Sequence, residues 1–194
     1  MSGAQIQTYS ALHDVELAAH ASAGDRRAFG ELVRRHSSGV RGLLRRMGAS
    51  PTAADDVAQD AFLAAFESVT DYRGEGTFAG WVKRIAARLY LRRLQREKRL
   101  AHLAQEAEDE FIPPTDPDAA GRIDLDEAMK GLGEAERICV SMCYGAGLSH
   151  AEAADALNLP LGTVKSHVKR GLEKLRARLA PGSGAETEGR RVNG

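Results

Sequence analysis

Hydrophobic residues recur every three or four positions over most of this 194-residue chain, which is the period of an amphipathic α-helix. The longest such segment is predicted to run from Asp25 to Met47, with Asp25 able to cap its start and Gly48 able to end it. Its inward positions are Phe29, Leu32, Val33, His36, Val40, Leu43, Leu44 and Met47. The pattern therefore predicts an all-α protein.

Three further helices are predicted around this one. A shorter helix, roughly Asp14 to Ala23, precedes it, and another begins at Ser50-Pro51 and continues to about Val69. Residues 71–77 contain two glycines and no periodicity, so they are predicted to form a loop. Thr77 can then cap a fourth helix. The buried face of that helix is predicted to comprise Phe78, Trp81, Val82, Ile85, Leu89 and Leu94.

Helical periodicity resumes in the C-terminal third of the chain. Helices are predicted over 125–132 and 135–144, and the sequence GAG then breaks the second of them. Ser149 and Glu152 have the spacing of a capping box, which starts a short helix that ends near Leu157. The C-terminal third is therefore predicted to be a second small helical domain.

The stretch NLPLGTVKSHVKRG, residues 158–171, turns the chain and begins a longer helix. The inward arc of that helix is predicted to hold Val164, Val168, Leu172, Leu175 and Leu179. Polar residues face away from this arc, with Arg170 near the middle of the outward side and Lys165 at its edge. A short capped helix, a tight turn and a longer helix form a helix-turn-helix, whose second helix enters a DNA groove. The alternative is a surface helix with solvated charges.

Charge is balanced overall but unevenly distributed, with 27 basic and 27 acidic residues. Residues 78–99 hold eight Lys and Arg against one acid, and residues 160–179 hold six against one. On the first basic helix, arginines recur every four residues at Arg84, Arg88, Arg92 and Arg96. Because like charges at this spacing repel, the stripe requires water and salt, or a polyanion. Residues 101–121 are acidic and rich in proline, so they are predicted to form a flexible linker.

Several classes of function are disfavoured by the sequence. No nucleophile, carboxylate pair or phosphate-binding glycine loop is arranged for catalysis, so we expect neither an enzyme nor a cofactor. Cys139 and Cys143 lack a second pair nearby, so we expect core residues and no metal site, with redox chemistry as the alternative. No apolar run is long enough to span a bilayer and no secretion signal is recognisable, so we expect a cytoplasmic protein without membrane insertion.

Two segments resemble a known family. LSHAEAADALNLPLGTVKSHVKRGLEKLRARL resembles the C-terminal promoter-reading domain of bacterial sigma factors, and DDVAQDAFLAAFESVTDYRGEGTFAGWVKRIAARLYLRRLQREKR resembles their N-terminal domain. Their order, with one linker, is similar to the extracytoplasmic-function group of the sigma-70 family. The resemblance implies an N-terminal tail at 1–9, a region 2 domain at 10–100, the linker at 101–121, a region 4 domain at 122–180 and a disordered tail at 181–194.

By this resemblance, the chain is an alternative sigma factor that binds core RNA polymerase and promoter DNA and directs transcription initiation. The residues implied to dock on the β′ clamp helices of polymerase are Asp56, Gln59, Asp60 and Phe62. The residues implied to hold the −10 element, beside the loop 71–77, are Trp81, Arg84, Arg88, Arg92 and Arg96. The residues implied to lie over the −35 element are Thr163, Lys165, Ser166, Lys169 and Arg170. The polymerase β flap and an anti-sigma factor are the other implied partners.

Alternatives remain open for some of these residues. Trp81 falls in phase with Phe78 and Val82, so it fits a core anchor as well as a base-stacking residue. Arg88 and Arg92 stand where the family often has Asn and Asp, which leaves the −10 base preference undefined. A sigma-like decoy that only binds an anti-sigma factor is the main competing function, and the retained arginine stripe argues against it. A stand-alone DNA-binding regulator would leave the N-terminal resemblance unexplained.

Overall fold

The computed structural model describes residues 9–74, 76–104 and 125–179, and within these ranges it contains eight α-helices and no β-strand. The helices are α1 Asp14–Ser22, α2 Arg26–Met47, α3 Pro51–Glu67, α4 Phe78–Ala104, α5 Leu125–Lys130, α6 Glu134–Val140, α7 His150–Leu157 and α8 Leu161–Leu179. Short 3₁₀ segments lie at Tyr9–Ala11 and Val69–Asp71, and a π-helical segment lies at Ser141–Gly145. The all-α prediction is confirmed.

The predicted linker and both predicted tails lie mostly outside the described residues. Helix α4 continues through Ala104, so it extends into the first residues of the segment predicted as linker over 101–121. The N-terminal tail was expected to end at residue 9, and Tyr9 already belongs to a 3₁₀ turn.

Capping side chains place the helix starts where the sequence predicts them. The Asp25 carboxylate caps α2 by accepting from two backbone N–H groups, at 2.9 and 3.3 Å. The Ser50 hydroxyl caps α3 at 3.2 Å, and the Thr77 hydroxyl caps α4 at 3.0 Å. Gly48 ends α2 with a left-handed φ of 107°, a conformation that favours glycine. The signals are local, and the helix starts therefore follow from short stretches of sequence.

Helices α1 to α4 form the N-terminal unit, with α2 in contact with each of the other three. Its fully buried large side chains are Leu17, Leu32, Val40, Leu43, Leu44, Met47, Phe78 and Val82. Most of the predicted inward face of α2 is therefore confirmed. His36 is only partly buried, and its Nε2 lies 2.7 Å from a carboxylate oxygen of Asp14.

Helices α5 to α8 form the C-terminal unit, in which α7 and α8 make the predicted helix-turn-helix. Ser149 and Glu152 form the predicted capping box of α7, and Asn158 turns the chain with a left-handed φ of 53°. The buried residues of α8 are Val164, Val168, Gly171 and Leu175. The prediction that Leu179 faces inward is wrong, because this residue is 45% exposed. The core of this unit reaches along α8 only to Leu175.

The helix predicted over 135–144 does not continue as an α-helix to its end. Helix α6 stops at Val140, and the chain widens into a π turn in which the Ala146 N–H donates to the Ser141 carbonyl at 3.0 Å. This turn brings Gly145 against α2, where an added Cβ would lie 2.6 Å from Leu43 Cδ1. Any larger residue at this position would require the fully buried Leu43 side chain to move.

The two units pack against each other through the α2 surface that meets this turn. Ile138 and Met142 belong to the same hydrophobic core as Leu43. Ion pairs across the boundary are Arg46–Asp126 at 3.3 Å and Lys98–Glu134 at 3.0 Å. Exposed ion pairs contribute little to stability, so the shared apolar core accounts for most of the contact.

Candidate nucleic-acid and protein-binding surfaces

The outward face of α8 carries the polar residues expected over the −35 element. Lys165, Ser166, Lys169 and Arg170 are exposed, and Thr163 is half-buried. Within the described residues, no hydrogen bond or ion pair engages the ammonium groups of Lys165 and Lys169. The Ser166 hydroxyl donates to the Gly162 carbonyl at 2.9 Å. Two unpaired cations therefore face solvent near the start of this helix, a position suited to phosphate contacts.

Arg170 differs from these lysines because its guanidinium already has partners. Its Nε lies 3.6 Å from Glu136 Oε1, and its Nη2 lies 3.0 Å from His167 Nδ1. Lys174 Nζ donates to the second carboxylate oxygen of Glu136 at 2.7 Å. Arg170 thus lies at the edge of the outward face, next to α6. The sequence pattern predicts a position near the middle of that face.

Glu136 is a buried acid that sequence reasoning missed. Its residue surface is 8% exposed, and the hydrogen bond from Lys174 holds its pKa below the ordinary value. The Gly133 backbone N–H and the positive charges of Lys174 and Arg170 lower that pKa further, against the effect of burial. Glu136 lies 38 residues before Lys174, so no local motif joins the two.

An exposed basic stripe runs along α4. Arg88, Arg92 and Arg96 are exposed, and none makes a hydrogen bond or an ion pair with the residues that the structure describes. Arg84, expected in the same stripe, is half-buried, and its Nη2 donates to the Gly147 carbonyl of the C-terminal unit at 3.3 Å. The structure brings three of the four arginines together on an open face and places the first against the other unit.

Trp81 lies in a cluster of three rings at the start of α4. Its ring centroid is 5.4 Å from that of Tyr72 and 5.6 Å from that of Phe78. The Tyr72 hydroxyl donates to the Gly76 carbonyl at 3.2 Å across the 71–77 loop, and a cleft of about 200 Å³ lies between this loop and α1. Trp81 is half-buried, so it anchors the loop and leaves both interpretations of its role open.

The outer face of α3 is acidic, with one exposed apolar side chain. Asp56, Gln59 and Asp60 are exposed, and Asp56 forms an ion pair at 3.6 Å with Arg93 of α4. Phe62, the fourth residue expected to contact polymerase, belongs to the hydrophobic core of this unit and is 6% exposed. Leu63, one position further, is 56% exposed and shares the face of Asp56, Gln59 and Asp60 at helical spacing.

The cysteines are core residues with weak reactivity. Cys139 is buried, and burial raises the pKa of its thiol to about 11. Burial also raises the thiol pKa of the partly buried Cys143, and a raised pKa disfavours the reactive thiolate. Among the described residues, no three His, Cys, Asp or Glu side chains form a group that could hold a metal ion. No helix in the same ranges has both the length and the apolarity needed to cross a bilayer.

Comparisons with known proteins match both units. Residues 32–100 match the family model of sigma-70 region 2, and residues 128–177 match that of sigma-70 region 4. The chain is 31% identical over 185 residues to the ECF RNA polymerase sigma-E factor of Haemophilus influenzae, covering 88% of this chain and 97% of that protein. It is 35% identical over 157 residues to the ECF RNA polymerase sigma factor SigE of Mycolicibacterium smegmatis, covering 77% of this chain but only 61% of that relative's length.

The solved structure of CnrH in complex with the cytosolic domain of CnrY is also similar. Its sigma-factor chain is 30% identical, with a TM-score of 0.52. The match covers 86% of this chain and 96% of that chain, so both units take part in it.

Proposed function

This chain belongs to the extracytoplasmic-function group of the sigma-70 family of RNA polymerase sigma factors. We propose which of its surfaces contact the two promoter elements and which contact RNA polymerase during transcription initiation. The chain is a non-enzymatic initiation factor that acts with core RNA polymerase. One observation carries this assignment: each of the two helices expected to face DNA, α4 and α8, carries a group of exposed cations that make no hydrogen bond or ion pair within the described residues. They are Arg88, Arg92 and Arg96 on α4, and Lys165 and Lys169 on α8.

The α4 stripe is assigned to the −10 element. Arginines on an open face attract phosphates, and each neutralised phosphate releases counterions, so affinity falls steeply with salt. Trp81 and the 71–77 loop lie at the start of the same helix, where an unstacked base can meet an aromatic ring. Arg84 joins this surface once its contact with the Gly147 carbonyl opens.

The outward face of α8 is assigned to the −35 element. Lys165 and Lys169 are suited to phosphate contacts, Thr163 and Ser166 carry hydroxyl groups near the helix start, and Arg170 is the choice for a base contact. Base contacts specify sequence, whereas phosphate contacts position the helix. The two kinds of contact are therefore distinguishable by mutation.

The outer face of α3 is assigned to the polymerase β′ clamp helices, with Leu63 as the apolar contact in place of Phe62. Asp56, Gln59 and Asp60 lie beside Leu63 on the same face and supply a polar rim. The C-terminal unit is assigned to the β flap. These contacts imply a protein that works in the cytoplasm beside polymerase.

An anti-sigma factor is the further partner proposed. CnrH, whose chain this one resembles over both units, was solved with the cytosolic domain of CnrY. We extend that arrangement to a cytosolic peptide that covers surfaces on both units here. A sigma-like decoy that only binds an anti-sigma factor would not need basic residues on the faces expected to contact DNA. The unpaired arginines of α4 and lysines of α8 therefore disfavour this alternative.

Run-off transcription with core polymerase on a genomic fragment library tests the proposal. We expect promoter-specific transcripts, whereas the free protein should bind duplex DNA weakly at physiological salt. On promoters randomised at the −35 element, Arg170→Ala should relax the preference at one position, and Lys165→Ala should weaken all sequences about equally. Co-purification with core polymerase but no transcript from any fragment would refute the initiation role.

A further inference from the structure

We propose that Glu136 is a positioning residue for −35 recognition, whose charge keeps the Nε side of Arg170 turned toward α6 so that Nη1 and the free N–H of Nη2 are presented to DNA. The inference rests on the proposed function, because it assumes that α8 reads the −35 element. Glu136 lies on α6, outside the helix-turn-helix formed by α7 and α8. It is therefore a residue that the motif itself does not assign.

The geometry is that of one buried acid between two half-exposed cations. The Glu136 side chain is 10% exposed, whereas those of Arg170 and Lys174 are 55% and 50% exposed. A guanidinium presents its donors in a rigid fork, so the ion pair of Nε with Glu136 at 3.6 Å and the contact of Nη2 with His167 Nδ1 at 3.0 Å together favour one direction of the terminal nitrogens. Part of the rotamer freedom that Arg170 would lose on binding a base is thus already lost in the free protein.

The close crossing of α6 and α8 makes this contact possible. At Gly171, an added Cβ would lie 2.7 Å from Val140 Cγ2 and 3.5 Å from Glu136 Cβ. The missing side chain lets the helices approach, so the carboxylate lies between Arg170 and Lys174. The acid and the glycine act together in placing the basic residues of α8.

Helix capping alone does not account for Glu136. Glu16 and Glu152 hold the same capping-box position in α1 and α7, and each accepts from its N-cap N–H at 2.8 Å. Neither has an ion-pair partner within 4 Å in the described ranges, although the charges of Arg84 and Arg88 help to lower the pKa of Glu152. The corresponding bond of Glu136, from the Gly133 N–H, is 3.3 Å, whereas its bond from Lys174 is 2.7 Å. The carboxylate is therefore held more closely by α8 than by its own helix start.

Transcription from promoters randomised only at the −35 element tests the inference with full-length protein and core polymerase. Glu136→Gln keeps the shape and a capping acceptor but removes the charge. We expect discrimination to fall by about fivefold at the position that Arg170 reads, the lower end of what one bidentate contact supplies. In an Arg170→Ala background, the same change should alter nothing further. Glu152→Gln is the matched capping control and should leave the profile unchanged.

A second variant separates the two cations. Lys174→Met leaves Arg170 as the cation nearest to the Glu136 carboxylate, so the base preference should be kept. Loss of preference in Lys174→Met together with retention in Glu136→Gln would overturn the inference. A uniform loss over all positions in Glu136→Gln, with a lowered Tm, would also overturn it by showing a purely structural role.

The outcomes also distinguish this inference from the proposed function. If Arg170→Ala changes the −35 profile and Glu136→Gln does not, the inference is wrong and the proposed reading of α8 stands. If Arg170→Ala leaves the −35 sequence profile unchanged, the base contact assigned to Arg170 is wrong. The positioning role proposed for Glu136 is then wrong as well. If Glu136→Gln fails to fold, Glu136→Asp tests the contact by distance, because it keeps the charge but withdraws the carboxylate from Arg170 by one methylene group; it should weaken the same base preference, and an unchanged profile would overturn the inference.

Discussion

Gly171→Ala tests how tightly α6 and α8 are packed. In an exposed helix interior, replacing glycine by alanine stabilises by up to about 1 kcal/mol, because alanine loses less backbone entropy. At Gly171 the new methyl group would lie 2.7 Å from Val140 Cγ2 and 3.6 Å from the Glu136 carbonyl oxygen. Val140 is 4% exposed and β-branched, so it has little room to move away.

The magnitude follows from two opposed effects. Overpacking a well-filled core costs about 1–3 kcal/mol, which cancels or exceeds the gain in helix propensity. Gly30, in the second turn of α2, is exposed and has nothing within 4 Å of an added Cβ, so Gly30→Ala is the matched control and should show the gain alone. The two variants should therefore differ in unfolding free energy by at least about 1 kcal/mol, or about 2–4 °C in Tm for a chain of this size.

Calorimetry and urea denaturation of both variants measure this difference. We expect a raised Tm for Gly30→Ala and an unchanged or lowered Tm for Gly171→Ala. The Gly171→Ala variant should also show a weaker −35 base preference, because separating α6 from α8 moves Glu136 away from Arg170. An equal rise in Tm for the two variants would refute the close crossing of α6 and α8.

Three further predictions follow from single surfaces. Leu63→Ser should reduce co-purification with core polymerase while leaving the free energy of unfolding within about 0.5 kcal/mol of the parent. Phe62→Ala should cost about 3–5 kcal/mol of stability, and equal effects of the two changes on folding would contradict the assignment. Replacing Arg88 and Arg92 by alanine should reduce the magnitude of the slope of log affinity against log salt concentration by about 2 for the complex with promoter DNA. An unchanged slope would show that neither arginine contacts a phosphate. The folded-state pKa of Glu136 is lowered, so the stabilising effect of this carboxylate is present above its unfolded pKa and is lost as pH falls through the folded pKa. Glu136→Gln should therefore make the free energy of unfolding less dependent on pH in acid. The same pH dependence in the variant and the parent would contradict the ion pair with Lys174.

The helices could be predicted from sequence because their signals are local. Asp25, Ser50 and Thr77 each lie within three residues of the N–H groups that they cap, and periodicity over a few turns identifies the buried face of α2. Phe62, in contrast, lies on the buried side of α3. The resemblance nevertheless assigned it to a partner, because a motif records which residues recur and does not record which way each one points.

Contacts between distant segments were not predictable in the same way. The pairing of Glu136 with Lys174 and Arg170 depends on the crossing of two helices, and nothing in either segment reveals that crossing. Likewise, the π turn at Ser141–Gly145 arises where the end of α6 meets α2. Local helix propensity does not report this contact, so the sequence pattern predicts a helix that continues to residue 144. The half-buried position of Arg84 follows from the same docking of the two units.

The docking of Gly145 on Leu43 also has a consequence for biosynthesis. About a hundred residues separate these two positions, and at a translation rate of about 5–20 residues per second their synthesis is separated by roughly 5–20 s. Helices α1 to α4 can fold in the part of that interval that follows the synthesis of α4, which ends at Ala104, roughly 2–8 s before Gly145 is made. The nascent chain therefore passes through a stage in which the Leu43 side of α2 is an uncovered apolar patch, and the ribosome-bound protein is then most exposed to chaperones and to aggregation.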